Sequence, residues 1–166
     1  QNDRTQRSSP TQIPGEWGMS ALVSVGYGVL ATKTNGTLWG WGRNSNGELG
    51  LGDSNRRSSP TQVPGTKWRQ VTSSGNAGAC IRTDGTLWLW GNDGNGQLGQ
   101  NNRTSYASPV QIYGEGTTWS RICGGDSWYL AIKTDGTMWS WGENAQGQLG
   151  IGNKTQRSSP IQIPGT

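Results

Sequence analysis

A ten-residue segment occurs three times in this chain, and this repetition limits the possible folds more than any other feature of the sequence. KTNGTLWGWG begins at Lys33, RTDGTLWLWG at Arg82 and KTDGTMWSWG at Lys133. The prolines of an S-S-P or A-S-P motif recur in step, with spacings of 50, 49 and 51 residues, at Pro10, Pro60, Pro109 and Pro160. A fixed period near 50 residues indicates stacked supersecondary units, as in a solenoid or a propeller.

Within each unit the pattern is that of β-strands. Asn35-Gly36, Asp84-Gly85 and Asp135-Gly136 separate apolar runs, which predicts a hairpin with a type I′ turn. Tryptophans two residues apart follow each turn and should share one face of a strand. A Gly-rich loop, the S-S-P segment and a further Trp complete the unit. The pattern predicts about four strands per repeat and no helix.

Tryptophan must supply much of the buried surface. The chain has ten Trp, no Phe and 28 Gly among 166 residues, and 30% of it is hydrophobic. Because each aromatic side chain can bury roughly 150–250 Å², we expect the nine Trp that recur in phase to pack blade against blade. These are Trp17, Trp68 and Trp119, Trp39, Trp88 and Trp139, and Trp41, Trp90 and Trp141.

The repeated phrase, with its G-x-N-x-x-G-Q-L-G loop and S-S-P-x-Q-I-P-G end, resembles the regulator of chromosome condensation repeat family. The resemblance covers essentially the whole chain in three units. It implies an all-β fold of β-propeller blades, each four-stranded and usually seven to a ring. The Trp-x-Trp form resembles the bacterial or phage-associated branch of the family. The family commonly carries a His in the strand after its paired glycines, and this chain has Gly28, Ala77 and Trp128 there.

The repeat phase predicts the organisation of the chain. Residues 1–16 repeat the phase of 151–166 and are predicted to be the last strand of a preceding blade. The blade repeats that follow are predicted at 17–67, 68–118 and 119–166. Three blades cannot close a seven-bladed ring, so we favour a partial propeller cut from a longer array. The alternative is a propeller completed by oligomerisation of several copies.

The chain lacks the residues that several kinds of catalytic and metal-binding sites need. The chain has no His, which excludes a histidine base or a histidine metal ligand. Its two cysteines, Cys80 and Cys123, are too few for a metal cluster; a disulfide is possible, but we favour two packed free thiols. No apolar run approaches the ~20 residues of a membrane-spanning helix. We therefore expect no enzyme activity, no cofactor and no metal.

One aromatic pair departs from the repeat and is the leading binding-site candidate. Trp128 and Tyr129 stand where the other units have small residues or Val, so the architecture does not require them. Trp and Tyr are common anchors of interfaces, which favours a contact patch here. The alternative, held equally, is local packing or packing against the next blade. Tyr27 is included as a further candidate.

Arginines precede the proline of each unit: Arg7, Arg56, Arg57, Arg103 and Arg157. A radial arrangement of blades would place them on one rim, where Arg57 and Arg103 are the tentative ligand contacts. Such a rim could hold carboxylate, phosphate or a sulfated sugar, although a solvated loop is the simpler interpretation. The net charge is +4 without a basic block, and nothing interleaves the arginines with aromatics, so nucleic acid is not an expected partner.

The sequence thus predicts a non-catalytic binding or structural scaffold that presents a face to a protein or a glycan. High Gly, Asn, Thr and Ser content and near-perfect repeats favour an extracellular or virion-associated adhesin or array, with self-association. The family resemblance also implies alternatives: a secreted enzyme-inhibitor-like protein, a GTPase regulator or an ultraviolet photoreceptor. The photoreceptor signature G-W-R-H-T is absent, and no insertion protrudes for GTPase regulation.

Overall fold

The structure is a computed structural model that describes residues 8–112, 116 and 118–165, excluding the side chains of residues 19–21. The described residues form three four-stranded antiparallel sheets and contain no helix, as the repeat predicts. The first sheet has strands β1 (Trp17–Val25), β2 (Gly28–Lys33), β3 (Leu38–Gly42) and β4 (Arg57–Gln62). The second has β5 (Trp68–Ser74), β6 (Ala77–Arg82), β7 (Leu87–Gly91) and β8 (Tyr106–Gln111). The third has β9 (Trp119–Gly124), β10 (Trp128–Lys133), β11 (Met138–Gly142) and β12 (Arg157–Gln162).

Each sheet, hereafter a blade, is a meander whose strands pair in sequence order. The first strand of each blade lies against the first strand of the next, since β1 contacts β5 and β5 contacts β9. The first strands are therefore innermost, and β4, β8 and β12 lie at the outside. The blades are therefore arranged radially, which is the arrangement that would place the arginines before each proline on one rim.

The central hairpin turn is where the expected and observed backbones differ. Gly36 N donates to the Lys33 carbonyl at 3.0 Å, so Thr34 and Asn35 are the central residues of the turn. Gly36 has φ +77°, whereas Asn35 has a negative φ. The predicted type I′ turn is wrong: this is a type I turn followed by a glycine in the left-handed region. Asn35 Oδ1 instead accepts hydrogen bonds from the Thr37 backbone N and Oγ1.

The hydrophobic core lies between blades and forms two clusters. One joins the first blade to the second and includes Leu30, Leu38, Leu49, Trp68 and Trp90. The other joins the second blade to the third and includes Leu87, Leu98, Trp119, Tyr129 and Trp141. Tryptophan therefore packs from blade to blade as predicted, most deeply at Trp90 and Trp141, which are both fully buried.

The two thiols have different surroundings and are both unpaired. Cys80 is buried and lies opposite Trp88, in the register position that Ala31 and Ala131 occupy in the other blades. Cys123 is exposed. The expectation of packed thiols is therefore correct for Cys80 and wrong for Cys123, because Cys123 lies on a surface of the third blade that no other described strand covers.

The remaining predictions concern how the repeats divide the chain, and the structure describes only part of the segments involved. Residues 1–7, including Arg7, lie outside the described residues, and residues 8–16 are in no strand. The assignment of 1–16 to a preceding blade and the three repeat boundaries stay predictions. No helix in the described part of the chain is long and apolar enough to span a membrane.

Candidate protein-binding face

One end of the three blades is built from turns and long loops, and we call it the loop face. It comprises the turns between the first and second strands of each blade and the loops between the third and fourth strands. Backbone hydrogen bonds join turn to loop in every blade: Arg43 N to Tyr27 O, Asn92 N to Asn76 O and Glu143 N to Ser127 O, at 2.9–3.2 Å. The loop face is therefore a repeated, rigid surface.

All five predicted site residues belong to this end of the molecule. Tyr27 is in the β1–β2 turn, Arg57 begins β4, Arg103 is in the β7–β8 loop, and Trp128 and Tyr129 begin β10. Their positions in the sequence span about 100 residues, and only the alternation of strand direction brings them to one end. The sequence identified the residue types but not this common placement.

Tyr129 does not reach the surface of the loop face. It is fully buried, its ring stacks on Trp141 with centroids 5.8 Å apart, and its hydroxyl donates to the Ala77 carbonyl at 2.9 Å. Burial raises the pKa of the phenol well above its usual value, so it remains a neutral donor. Tyr129 thus joins the third blade to the second, which is the packing alternative.

Trp128 is the accessible member of the pair. It is half-buried, and its ring lies over Gly125, where a β-carbon would collide with the indole. Gly125 N also donates to the Trp128 carbonyl at 2.9 Å. The glycine therefore holds the indole flat against the β9–β10 turn with part of the ring in solvent.

A shallow pocket of about 510 Å³ marks the first blade at the loop face. It is lined by Tyr27, Trp41, Gly42, Arg43, Arg56, Arg57 and Ser58. Tyr27 is 83% exposed, and the Arg43 guanidinium lies 5.7 Å from the centre of its ring. An exposed phenol with a stacked cation is the kind of group that interfaces use as an anchor.

Arg57 has partners of its own within the blade. Its guanidinium pairs with Asp53 at 2.6 Å and donates to the Asn55 carbonyl at 2.8 Å. The hydrogen bond from Arg57 and the one from the Asn55 backbone hold the pKa of Asp53 below its ordinary value. Arg57 therefore mainly holds the conformation of the β3–β4 loop. Its neighbour Arg56 is exposed and is the less constrained cation.

Arg103 connects two blades at this end. Its guanidinium donates to Gln156 Oε1 at 3.0 Å, and Gln156 Nε2 donates to Asn95 Oδ1 at 3.1 Å. The β7–β8 and β11–β12 loops are thus linked across the blade boundary. Arg103 itself remains exposed and can still meet a ligand with its other donors.

Cations outnumber accessible acids on the loop face. The cations are Arg43, Arg56, Arg57, Arg103, Lys154 and Arg157, and the accessible acids of the same turns and loops are Asp53, Asp126 and Glu143. Arg43 and Trp41 are contributions that the sequence interpretation missed. The signal for Arg43 was present, because the other repeats have Asn92 and Glu143 at its position. Among the described residues, no three His, Cys, Asp or Glu side chains are grouped as metal ligands would be.

Comparison with protein families matches most of the chain to successive copies of one repeat family. The model described as "Regulator of chromosome condensation (RCC1) repeat" matches residues 35–81, 84–132 and 135–166. A second model of the same description matches 119–148.

Curated relatives show similarity over most of this chain but over little of their own length. Human Protein RCC2 is 32% identical over 135 residues, which are 81% of this chain and 17% of the relative. The Arabidopsis thaliana Ultraviolet-B receptor UVR8 is 32% identical over 153 residues, which are 86% of this chain and 33% of the relative. The chain thus spans between a sixth and a third of these relatives.

Solved structures confirm the fold. Human WBSCR16 superposes with a TM-score of 0.80 at 24% identity, covering 92% of this chain and 39% of that one. Yeast RCC1 (Prp20), from its complex with Kap60, superposes with a TM-score of 0.79 at 17% identity, covering 87% of this chain and 37% of that one. The three sheets are therefore blades of a β-propeller, as predicted.

Proposed function

Because the chain belongs to the regulator of chromosome condensation (RCC1) repeat family, we propose that it is a non-catalytic scaffold that recognises a protein through its loop face. The observation that carries the proposal is a combination of groups at that face. Exposed Tyr27, half-exposed Trp128 and six cations lie on, or at the strand starts beside, turns and loops that backbone hydrogen bonds hold in place. Rigid aromatic anchors surrounded by charged groups are typical of protein-recognition sites.

The charge of the loop face indicates an acidic protein as the partner. Six cations face three accessible acids, and one of those acids, Asp53, is already paired with Arg57. Opposite charge on the partner would steer association and fix its orientation. Prp20p from Saccharomyces cerevisiae, whose solved structure has this fold, has binding properties toward Gsp1p and histones. That protein supports protein binding by analogy of fold only, and a basic partner would be repelled here.

Other expectations from the sequence are kept as parts of this proposal. We place the scaffold in an extracellular or virion-associated setting, where its low charge content of 14% and repeated Gly-rich loops suit an adhesin or structural array. A glycan would meet the same Trp128 and Arg103. An enzyme-inhibitor-like or GTPase-regulator-like role would also use the loop face and differs only in the identity of the bound protein.

The test measures binding of an acidic probe, a fluorescent oligo-glutamate peptide, to the chain by anisotropy. We expect Trp128→Ala and Arg103→Gln each to weaken binding, and added salt to weaken it further because surface charges are screened. Thr83→Ala is the matched control, since Thr83 is exposed at the opposite end of the second blade.

Equal loss of binding in all three variants would show that the substitutions act through the fold of the chain and not through the loop face, and would contradict the proposal. So would binding that ignores both loop-face substitutions. A neutral oligosaccharide run in parallel separates the glycan alternative, because its binding would need Trp128 but would not respond to salt.

A further inference from the structure

The second blade differs from its two neighbours at one buried polar side chain. Asp93 stands where the first and third blades have Asn44 and Asn144, and all three side chains are fully buried. In each blade Oδ1 of this residue accepts a hydrogen bond from the backbone N five residues later, at 2.8–3.0 Å. Because this bond orients the three side chains alike, Oδ2 of Asp93 occupies the place of the amide nitrogen Nδ2 in the other two blades.

In the first and third blades that nitrogen donates to two backbone carbonyls, which lie nine and eleven residues further along the chain. The four distances are 2.8–3.1 Å. The carbonyls belong to Asp53 and Asn55 in the first blade and to Asn153 and Thr155 in the third. An amide with two N–H groups thus satisfies two carbonyls in each of these blades.

The corresponding carbonyls in the second blade are those of Asn102 and Thr104. The loop that carries them keeps its conformation, because Thr104 N donates to Asn102 Oδ1 at 2.8 Å, as the equivalent backbone N does in the other blades. The strands at either end of the loop also pair in the same register. The two carbonyls therefore face Asp93 Oδ2, an oxygen that cannot donate when it is ionised.

Three oxygens meet at this point without a donor for them. Asp93 Oδ2 has no hydrogen-bond partner among the described residues. A buried carboxylate without a partner is costly, and burial raises the pKa of Asp93 to about 6. A proton on Oδ2 would supply one donor for two carbonyls, whereas a cation attracts all three oxygens at once. The arrangement therefore fits a bound cation better than a bound proton.

Ser105 adds a fourth oxygen and a route to solvent. Its Oγ accepts a hydrogen bond from Asp93 N at 3.1 Å, whereas the other blades have Arg56 and Gln156 at this position. A hydroxyl oxygen has two lone pairs, so one remains for a cation. The 102–105 segment is exposed, and water can therefore reach the oxygens from that side.

The positive charge of Arg103 does not occupy this place. Its charge opposes the rise in the pKa of Asp93, but its guanidinium donates to Gln156 Oε1 of the third blade at 3.0 Å. It does not pair with the carboxylate, whose free oxygen has no partner in the part of the chain that the structure describes. The counter-charge for Asp93 must therefore come from outside the chain.

We propose that the second blade binds a calcium ion between Asp93 Oδ2 and the 102–105 segment. The ligands from that segment are the carbonyls of Asn102 and Thr104 and the hydroxyl of Ser105. Ca²⁺ takes about 6–8 hard oxygen ligands in flexible geometry and accepts water among them, whereas Mg²⁺ demands a stricter octahedron. The site departs from the expectation of no metal, which rested on His and Cys. It goes beyond the proposed function, since it needs no partner at the loop face.

Isothermal titration calorimetry with CaCl₂ tests the site, on chain that EDTA has first freed of metal. We expect one ion per chain with a Kd of roughly 10⁻⁴–10⁻³ M, as in extracellular calcium modules, and weaker binding of Mg²⁺. Asp93→Asn should abolish binding, because it restores the amide of the other two blades. Asp135→Asn is the matched control. It removes the same charge at an exposed turn, where the first blade already has Asn35, and should leave binding unchanged.

The same ligands can be built into the third blade. Asn144→Asp combined with Gln156→Ser places a carboxylate and a hydroxyl beside the carbonyls that Asn144 now satisfies. This double variant should bind two calcium ions per chain. A count that stays at one, in a double variant whose circular dichroism is native-like, would overturn the assignment of the ligands.

Absence of calcium binding to the unmodified chain would overturn the proposal. So would equal binding by Asp93→Asn, which would place the ion on other surface carboxylates. Urea unfolding adds an independent measurement, since an ion that binds only the folded chain raises the midpoint. A midpoint that responds to acid but not to calcium would show that a proton satisfies Asp93. The oligo-glutamate assay is run in EDTA, so failure of either proposal is separate from failure of the other.

Discussion

Trp90 and Trp41 occupy equivalent positions in successive blades, but only Trp90 donates its indole N–H to a carbonyl, that of Glu48, at 2.9 Å. Trp90 is fully buried in the boundary between blades, whereas Trp41 faces a pocket. The same residue type in the same repeat register thus has two different environments. The difference arises from the neighbouring blade and not from the local sequence.

Phenylalanine substitution separates the two environments. Trp90→Phe should lower the free energy of unfolding by about 1–3 kcal/mol, because it leaves the buried Glu48 carbonyl without a donor and opens a small cavity. Trp41→Phe should cost much less, because this indole is half-exposed and donates to no carbonyl of the described residues. Urea denaturation of both variants measures this, and equal costs would contradict the assigned contact.

Asp93 breaks a polar contact that the other two blades share. In the first blade Asn44 Nδ2 donates to the carbonyls of Asp53 and Asn55, and its Oδ1 accepts from Leu49 N. The third blade repeats this with Asn144. Asp93 Oδ1 accepts from Leu98 N, but its buried Oδ2 has no hydrogen-bond partner among the described residues.

We therefore predict that Asp93→Asn stabilises the fold by about 1–3 kcal/mol at neutral pH, because the new amide can donate where the carboxylate oxygen could not. Burial raises the pKa of Asp93 from 3.8 to about 6. A carboxyl with a raised folded-state pKa contributes its full stability below pH ~4 and loses it as the pH rises toward 6.

The advantage of Asp93→Asn should accordingly be small at pH 4 and grow up to about pH 6–7. Thermal or urea unfolding across that range measures it. Asn144→Asp is the reverse control and should lose stability at neutral pH and recover it in acid. A gain that is the same at every pH would contradict the assignment of Asp93 as the titrating group.

The two thiols should react very differently. Burial raises the pKa of Cys80 to about 12 and closes its access, whereas Cys123 is exposed with a pKa raised by partial burial. A thiol reagent should count one slow thiol in the folded chain and two after denaturation. Two reactive thiols in the folded chain would contradict the burial of Cys80.

A cation lies between two Trp rings in each blade, and this arrangement should stabilise it. In the second blade the Arg82 guanidinium is 4.3 Å from the Trp68 ring and 4.4 Å from the Trp88 ring. Arg82→Gln should cost about 1–2 kcal/mol, whereas Arg82→Lys should cost less because Lys33 and Lys133 fill the same position. Similar losses in both variants would show that the shape of the guanidinium matters more than its charge, and would contradict the cation–π assignment.

Repeat phase and strand alternation were enough to predict the strands and the role of tryptophan in the core. Trp39 and Trp41 both lie in β3, where they pair with Ala31 and Val29 of β2. The sequence did not predict the hairpin geometry, since Asn35-Gly36 also fits a type I turn with a left-handed glycine. The hydrogen bond of Gly36 N to Lys33 O and the negative φ of Asn35 distinguish the two.

The candidate site was less predictable because it depends on which side of a strand is covered. Trp128 and Tyr129 are adjacent in β10, and adjacent strand residues point to opposite faces. The two side chains therefore do not form one patch. Tyr129 is buried against the second blade, and Trp128 remains accessible. The link from Arg103 to Gln156 joins residues 53 apart and has no local signature in the sequence.

Hydrogen exchange of the three Gly-Glu/Gln-Leu-Gly loops, residues 47–50, 96–99 and 147–150, tests the central claim, that each blade covers a loop of the blade before it. The loops share internal bonds, such as Gly50 N to Gly47 O and Gly150 N to Gly147 O, so differences in protection report the covering blade. The indoles of Trp90 and Trp141 lie on loops 47–50 and 96–99, so these two loops should exchange slowly. Loop 147–150 should exchange quickly, because no Trp of the described residues lies on it. Equal protection of all three loops would contradict the account.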